Sequence, residues 1–220
     1  MQAGNAFYRE IGDLPRIVPI FPLSGALLLP GGRMPLNIFE PRYLQMIDDV
    51  VSGGRMIGII QPRLDGSRRD DGEPELCEVG CMGRLTSLME TGDGRYLVSL
   101  HGVARFRVAG EKEADKPYRL CSVRAFASDL VEESGKDVDR NALLGTFRAY
   151  LEANKLEADW AGINRAQNAA LVNALSMMAP YGPAEKQALL EAPDLRSRAE
   201  TLIAITEMAL RSDDQGTTLQ

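Results

Sequence analysis

The chain has 220 residues, 45% of them hydrophobic and 25% charged, a balance that suits a globular fold and excludes wholesale disorder. Its 25 Lys and Arg against 31 Asp and Glu leave a net charge of −6, which argues against a strongly basic nucleic-acid binder, and the single histidine, His101, removes most histidine-based metal sites. Cys77, Cys81 and Cys121 are odd in number and lack a C-x-x-C spacing, so they read as small hydrophobes in a reducing compartment.

Met1 to Arg16 shows no basic start followed by an apolar stretch, so no signal peptide is expected. The most apolar window, Ile17 to Pro30, is broken by Pro19 and Pro22 and is shorter than the ~20 residues that span a bilayer. No membrane segment and a cytoplasmic location are therefore expected. Ile17–Phe21 and Ala26–Leu29 are short apolar runs bounded by proline and glycine, as buried strands are. Glu40–Val51 reads as a helix with Pro41 in its first turn; Tyr43, Leu44, Ile47 and Val51 recur along it, and Gly53-Gly54 stops it. Arg55–Gln61 reads as a strand, and 62–75 as a solvated, charged loop. Strand-like segments follow at Glu78–Met89, Arg95–Val108 and Tyr118–Phe126. Thr91-Gly-Asp-Gly94 makes a hairpin between the first two, and His101-Gly102 marks a bulge or bend.

Composition changes near residue 130: residues 1–130 carry 16 basic and 17 acidic groups, residues 131–220 carry 9 and 14. The second part reads as helices at Arg140–Leu151, Arg165–Met178 (central, with Leu171, Val172, Leu175 and Met178) and Pro183–Leu190, then a last helix capped by Asp194. The expected organisation is a strand-rich subdomain over 1–130 and a helical one over 131–220, joined through the polar stretch Ser128–Asp137. The fold class is α+β: a mainly antiparallel sheet closing on itself as a barrel or sandwich, then helices whose short connections favour a bundle.

The sequence is poor in catalytic sets. It has no G-x-x-x-x-G-K-[ST] phosphate loop, no G-x-G-x-x-G and no G-x-S-x-G elbow. His101 is the only imidazole for any serine, and the five lysines sit in polar surroundings that keep them protonated. The pairs Asp48-Asp49, Asp70-Asp71, Glu132-Glu133 and Asp213-Asp214 lie in hydrophilic stretches and read as solvated. No catalytic residue, metal or cofactor is expected. The 20 arginines hint at anion recognition, yet they stand beside acids along the chain, which favours an ion-paired surface.

The run Ile17-Val-Pro-Ile-Phe-Pro-Leu23, then Leu28-Leu-Pro-Gly-Gly32, then Met34-Pro-Leu-Asn-Ile-Phe-Glu-Pro-Arg-Tyr-Leu-Gln-Met-Ile47, resembles the N-terminal substrate-binding domain of Lon proteases. The IFEPRY form looks most like the small bacterial proteins that carry this domain alone. Further matches follow in order at Ile57–Gln61, Leu76–Leu85, Gly94–Val98, Leu100–Val108, Lys186–Glu191 and Arg198–Leu202, so the resemblance runs over residues 17 to 210. It implies a PUA-like β-barrel containing one helix, followed by an α-helical bundle. In full-length Lon an ATPase ring and a Ser–Lys protease follow this module. This chain shows neither, so those activities are not carried over and a non-enzymatic module is expected.

What the resemblance implies is the holding of unfolded or extended polypeptide segments, with a protease or chaperone as a further partner. Physically, a barrel edge takes an extended peptide by backbone hydrogen bonds, with pockets for alternate side chains. The candidate surface is Pro35–Tyr43, where Phe39 and Tyr43 offer aromatic contact and Glu40 and Arg42 polar orientation. The structural reading of the same residues is that Phe39 and Tyr43 pin the helix while Glu40 and Arg42 cap it or pair internally. Arg84 and Arg105, from facing strand regions, are further candidates for an anionic contact. Two other classes stay open: RNA binding, which the negative charge disfavours, and a small-molecule or hydrolase site between barrel and helices. Nothing in the sequence speaks to oligomeric state.

Overall fold

The computed structural model describes residues 1–131 and 135–217; residues 132–134, with the Glu132-Glu133 pair and part of the expected linker, lie outside the described residues, as do the side chains of Asp213 and Asp214. The described residues within Met1–Glu132 and Tyr181–Leu190 form one compact unit, and those within Glu133–Pro180 and Glu191–Gln220 a second.

In the first unit, β1 (Gln2–Ala3) and β2 (Ala6–Phe7) make a small hairpin, and β3 (Ile17–Pro22), β4 (Arg33–Ile38), β5 (Met56–Pro62), β6 (Leu76–Glu90), β7 (Tyr96–Lys112) and β8 (Arg119–Ala125) make the main sheet. Its order is β4-β7-β6-β5-β3-β8, and β8 pairs back onto β7, which closes five strands into a barrel and leaves β4 outside as an edge. Every pairing in this sheet is antiparallel except β3 with β5. That parallel pair follows from the long crossover between them, which contains β4 and α1 (Pro41–Val51). β3 tolerates two prolines because Pro19 is paired only to β8 and Pro22 only to β5, so neither interrupts a ladder on both sides.

The barrel interior is built around Phe106, which is fully buried with Val18, Ile20, Ile60, Met82 and Val123 among its core neighbours. Its ring lies where side chains from β5 and β6 would otherwise stand: a Cβ on Gly80 would come within 2.6 Å of both the Phe106 ring and the Ile59 carbonyl oxygen. Glycine is required there by close approach. β7 bulges at Val103, beside Gly102, where the register moves from Met82↔Ala104 to Gly83↔Gly102. The Thr91–Gly94 hairpin forms as its residues dictate, with Gly92 and Gly94 at φ of 82° and 83° and the Thr91 N–H donating to Arg95 O.

Three local outcomes differ from the sequence reading. Ala26–Leu29 is not a strand: Leu27, Leu28 and Leu29 are buried as irregular chain, so burial and not pairing explains their apolar run. β4 forms despite Pro35, because an edge strand leaves one side of its backbone unpaired. In α1 the buried set is Tyr43, Met46, Ile47 and Val50, while Leu44 and Val51 are half-buried.

Helix α5 (Pro183–Glu191), read from sequence with the helical part, contributes its residues 183–190 to the strand unit. Buried Gln61 receives a hydrogen bond from the Gly25 N–H at 2.8 Å and donates to Pro183 O at 2.9 Å and Gln187 Oε1 at 3.1 Å. Gln187 in turn donates to Val79 O at 3.2 Å, and Lys186 Nζ to Gly25 O at 2.8 Å.

The second unit holds α2 (Arg140–Ala153), α3 (Trp160–Arg165), α4 (Asn168–Met178) and α6 (Leu195–Thr217), with α6 packed on α2 and α4. Asp139 caps α2 through Ala142 N–H at 2.9 Å, and Asp194 caps α6 through Ser197 N–H at 2.7 Å. The unanticipated α3 is closed at its C-terminal end by Arg140, which donates to Ile163 O at 2.7 Å and Ala166 O at 3.0 Å. α4 buries Leu171, Val172 and Leu175, but Met178, at its last position, is 80% exposed. Among the described residues no helix is long and apolar enough to cross a membrane, and no group of three or more His, Cys, Asp or Glu is placed to hold a metal ion.

Candidate functional site

The site grows out of the edge strand and the helix that follows it. β4 pairs only with β7, so its other edge carries no partner among the described residues. Along it Arg33, Pro35 and Asn37 are exposed and lie opposite His101, Ser99 and Leu97 of β7. Leu97 in turn lies opposite Met89 of β6. Leu97 and Met89 are both exposed large apolar side chains, and Phe39, just past the strand, is the most open of the three at 60%.

The chain turns into α1 at Glu40, whose side chain makes no cap; Pro41 takes the first helical position, where its missing N–H costs nothing. The Glu40 carboxylate instead accepts from Arg42 Nε at 3.1 Å, and Arg42 Nη1 donates to Glu73 Oε1 at 2.8 Å. The Arg42 guanidinium also lies 4.7 Å from the centre of the Tyr43 ring. Tyr43 is only 5% exposed, with its ring centre 4.2 Å from that of Phe21 on β3. The ring pins α1 to the barrel, as the structural reading of this residue required.

The charged segment 62–75 is not simply solvated. It doubles back on itself through Arg63 N–H to Glu75 O at 2.8 Å and Arg69 N–H to Glu73 O at 2.9 Å. It is tied down by Glu73 to Arg42, by Arg119 Nη1 donating to Pro74 O at 2.6 Å, and by Arg69 pairing with Glu111 at 2.5 Å. On the facing side Asp49 accepts from the Tyr118 hydroxyl at 2.6 Å and from Lys116 Nζ at 2.9 Å, while Arg119 pairs with Glu111. These hydrogen bonds, the Tyr118 one foremost and Lys116 next, hold the Asp49 carboxyl below its ordinary pKa. Burial, helped by Asp49, pushes the Tyr118 hydroxyl upward, and burial does the same for Tyr43.

Between these segments lies a cavity of about 140 Å³, lined by apolar Ile20, Pro22 and Pro117 and by Arg42, Tyr43, Glu73, Lys116, Tyr118 and Arg119. Of the residues expected from sequence, Arg42 and Tyr43 line it, Glu40 holds Arg42, and Phe39 stands exposed at the start of the same turn. The other two lie elsewhere. Arg84 ties the N-terminal hairpin to β6, donating to the Tyr8 hydroxyl at 3.0 Å, Asn5 Oδ1 at 3.2 Å and Gly54 O at 3.3 Å. Arg105 is enclosed, its side chain 1% exposed and paired with Asp129 at 2.8 Å, so its guanidinium is not presented to a ligand. Sequence reasoning passed over Glu73, Lys116, Tyr118 and Arg119, which come from a loop and a strand start with no shared spacing; only the fold brings them to α1.

The chain matches the family model for the ATP-dependent protease La (LON) substrate-binding domain over residues 17–207. It is 26% identical over 215 residues to a Lon protease of Flavobacterium johnsoniae, an overlap covering 92% of this chain and 26% of that protein. It is 31% identical over 202 residues to Lon protease 2 of Sorangium cellulosum, covering 86% of this chain and 24% of that protein. The chain thus spans about a quarter of the length of these curated relatives. Among solved structures, a Lon N-terminal domain protein from Xanthomonas campestris superposes with a TM-score of 0.61 at 24% identity, covering 86% of this chain and 97% of that one. The N-terminal domain of a Mycobacterium avium complex Lon protease superposes with a TM-score of 0.64 at 16% identity, covering 87% and 98%; both likenesses speak to the fold alone.

Proposed function

This chain belongs to the Lon substrate-binding domain family, and we propose that it is a non-enzymatic module that binds unfolded or extended segments of other polypeptides at the β4 edge and the start of α1. The observation that carries this reading is the unpaired edge of β4 running into exposed Phe39, with Leu97 and Met89 exposed on the neighbouring strands. An extended peptide laid along such an edge meets backbone donors and acceptors, while its alternate side chains meet apolar surface. Pro35 withholds one donor from that edge, which limits edge-to-edge pairing between copies and leaves the apolar side chains to supply much of the contact. A protease or chaperone acting on the held segment is the partner class this reading calls for.

One small site of this kind binds weakly, at micromolar to millimolar Kd, or about −4 to −8 kcal/mol. The test is a titration of the protein with a labelled, permanently unfolded polypeptide against the same polypeptide folded. Saturable binding of the unfolded form alone, weakened several-fold by Phe39→Ala, is the expected result. Absence of saturation up to millimolar concentration, or equal binding of the folded form, overturns the reading.

A further inference from the structure

The outer face of β4, β7 and β6 carries different chemistry at its two ends. Residues paired directly across antiparallel strands share a face, so the register sets out its rows. Arg33, His101 and Arg84 form one row, and Asn37, Leu97 and Met89 form another. The rows stand four residues apart along β4, about 13 Å of extended chain. Arg33 is exposed, and its side chain makes no hydrogen bond or ion pair among the described residues. Arg84 donates only to neutral acceptors, the Tyr8 hydroxyl, Asn5 Oδ1 and Gly54 O. Among the described residues, then, no carboxylate pairs with either guanidinium, in a chain whose net charge is −6. Arg42, Arg69, Arg107 and Arg119, by contrast, all pair with acids. His101 stands between the two free charges. Burial, and after it the charge of Arg33, hold its imidazole below the ordinary pKa, so at neutral pH it is an uncharged ring offering one N–H. The other row is apolar, with Leu97 and Met89 exposed and exposed Phe39 just past the strand.

Positive charge left uncompensated beside an open strand edge is complementary to negative charge on whatever lies along that edge. A strand added to β4 brings its side chains within about 5 Å of those directly opposite, and its residues four apart lie on one face. We infer that the segment held along β4 is acidic at one end of the contact and apolar at the other: a Glu or Asp against Arg33 and, four residues away on the same face, a large apolar side chain at the Asn37 and Phe39 end. The inference rests on the polypeptide-binding reading and specifies the sequence that the site selects. A nucleic acid would also answer the charge, but it has no backbone to pair with a strand edge, and the far row is apolar.

The test uses the full chain and short, labelled peptides of Ser and Thr, blocked at both ends, with one Leu and a Glu four residues away on each side, so that either chain direction presents the pair. Comparison peptides carry Gln or Lys in place of both Glu, or hold the two Glu three residues from Leu, where the pleat turns them to the other face. The Glu peptide at spacing four is expected to bind about threefold more tightly than the Gln peptide and the spacing-three peptide, and the Lys peptide more weakly still. These differences are expected to shrink as salt rises. Arg33→Glu, made at an exposed side chain without a partner, is expected to reverse the order, so that the Lys peptide binds best while the Gln peptide is unaffected. Equal binding of the Glu, Gln and Lys peptides, or of the two spacings, overturns the inference and leaves the polypeptide reading standing. A Glu preference that survives Arg33→Glu belongs to another surface and also overturns it. Saturation by none of the peptides up to millimolar concentration overturns the polypeptide reading as well. Displacement of the Glu peptide by a short single-stranded RNA that binds more tightly assigns the row to nucleic acid instead.

Discussion

Arg42 and Arg105 carry the same side chain and make nearly the same contacts, yet the structure encloses one and leaves the other open to water. Each bonds carboxylate through Nε and a second nitrogen, and each lies against an aromatic ring, Tyr43 at 4.7 Å and Phe126 at 5.0 Å. Arg105 is enclosed: Asp129 accepts from its Nε at 2.9 Å, its Nη2 at 2.8 Å and its backbone N–H at 2.8 Å, and Nη1 donates to Leu190 O at 3.1 Å. Arg42 has 36% of its side chain exposed and two acidic partners that are themselves open to water. Burial, not residue type, separates an arginine locked into the fold from one left open to solvent. In the enclosed case the charge has left water and depends on its partner; in the open case water screens the pair.

The comparison is broken or sharpened by substitution. Arg105→Leu leaves Asp129 buried without its partner and is expected to lower stability by about 3–5 kcal/mol, read from the urea midpoint. Gly80→Ala, which adds a Cβ at 2.6 Å from Ile59 O and the Phe106 ring, is expected to cost about 1–3 kcal/mol by overpacking in the same assay. Arg42→Ala is expected to cost less than about 1 kcal/mol; a loss as large as that of Arg105→Leu would erase the distinction. Phe39→Ala is expected to stay within about 0.5 kcal/mol of the parent while weakening the polypeptide.

Acid sharpens the open side of the comparison. The Asp49 carboxyl titrates below its ordinary value of 3.8 because the Tyr118 hydroxyl and then Lys116 bind its charged form. The unfolded chain therefore takes up this proton first as pH falls, so the stability Asp49 contributes is complete above its ordinary pKa and disappears as pH falls through the depressed one. Tyr118→Phe removes the largest cause. Its urea midpoint is expected below that of the parent at neutral pH, with the two converging below about pH 4.

Much of the architecture is legible in the sequence. Proline and glycine around a short apolar run marked β3, although the same signal at Ala26–Leu29 marked no strand; Thr91–Gly94 marked its hairpin, and the apolar spacing after Pro41 marked α1, because turns and periodicity are written in neighbouring residues. Asp194 at the head of α6 belongs to the same class of local signal. β4 was not among the strands read from sequence; a strand holding Pro35 is tolerated because the segment is an edge, which the sequence does not record. The Arg105 expectation missed burial: strand position alone does not say that Asp129 stands ready for its guanidinium.

The sequence by itself determined the α+β class, the strand-then-helix order, the family and the segment Pro35–Tyr43 as a place to look, since each of these depends on residues close together in the chain. The tertiary structure alone decided which strand is an edge, which arginine is enclosed, and that Glu73, Lys116 and Arg119 meet Arg42 and Tyr43 around one cavity. Those outcomes depend on pairing and burial between distant segments, and a linear pattern holds no record of which distant groups will share the same loss of water.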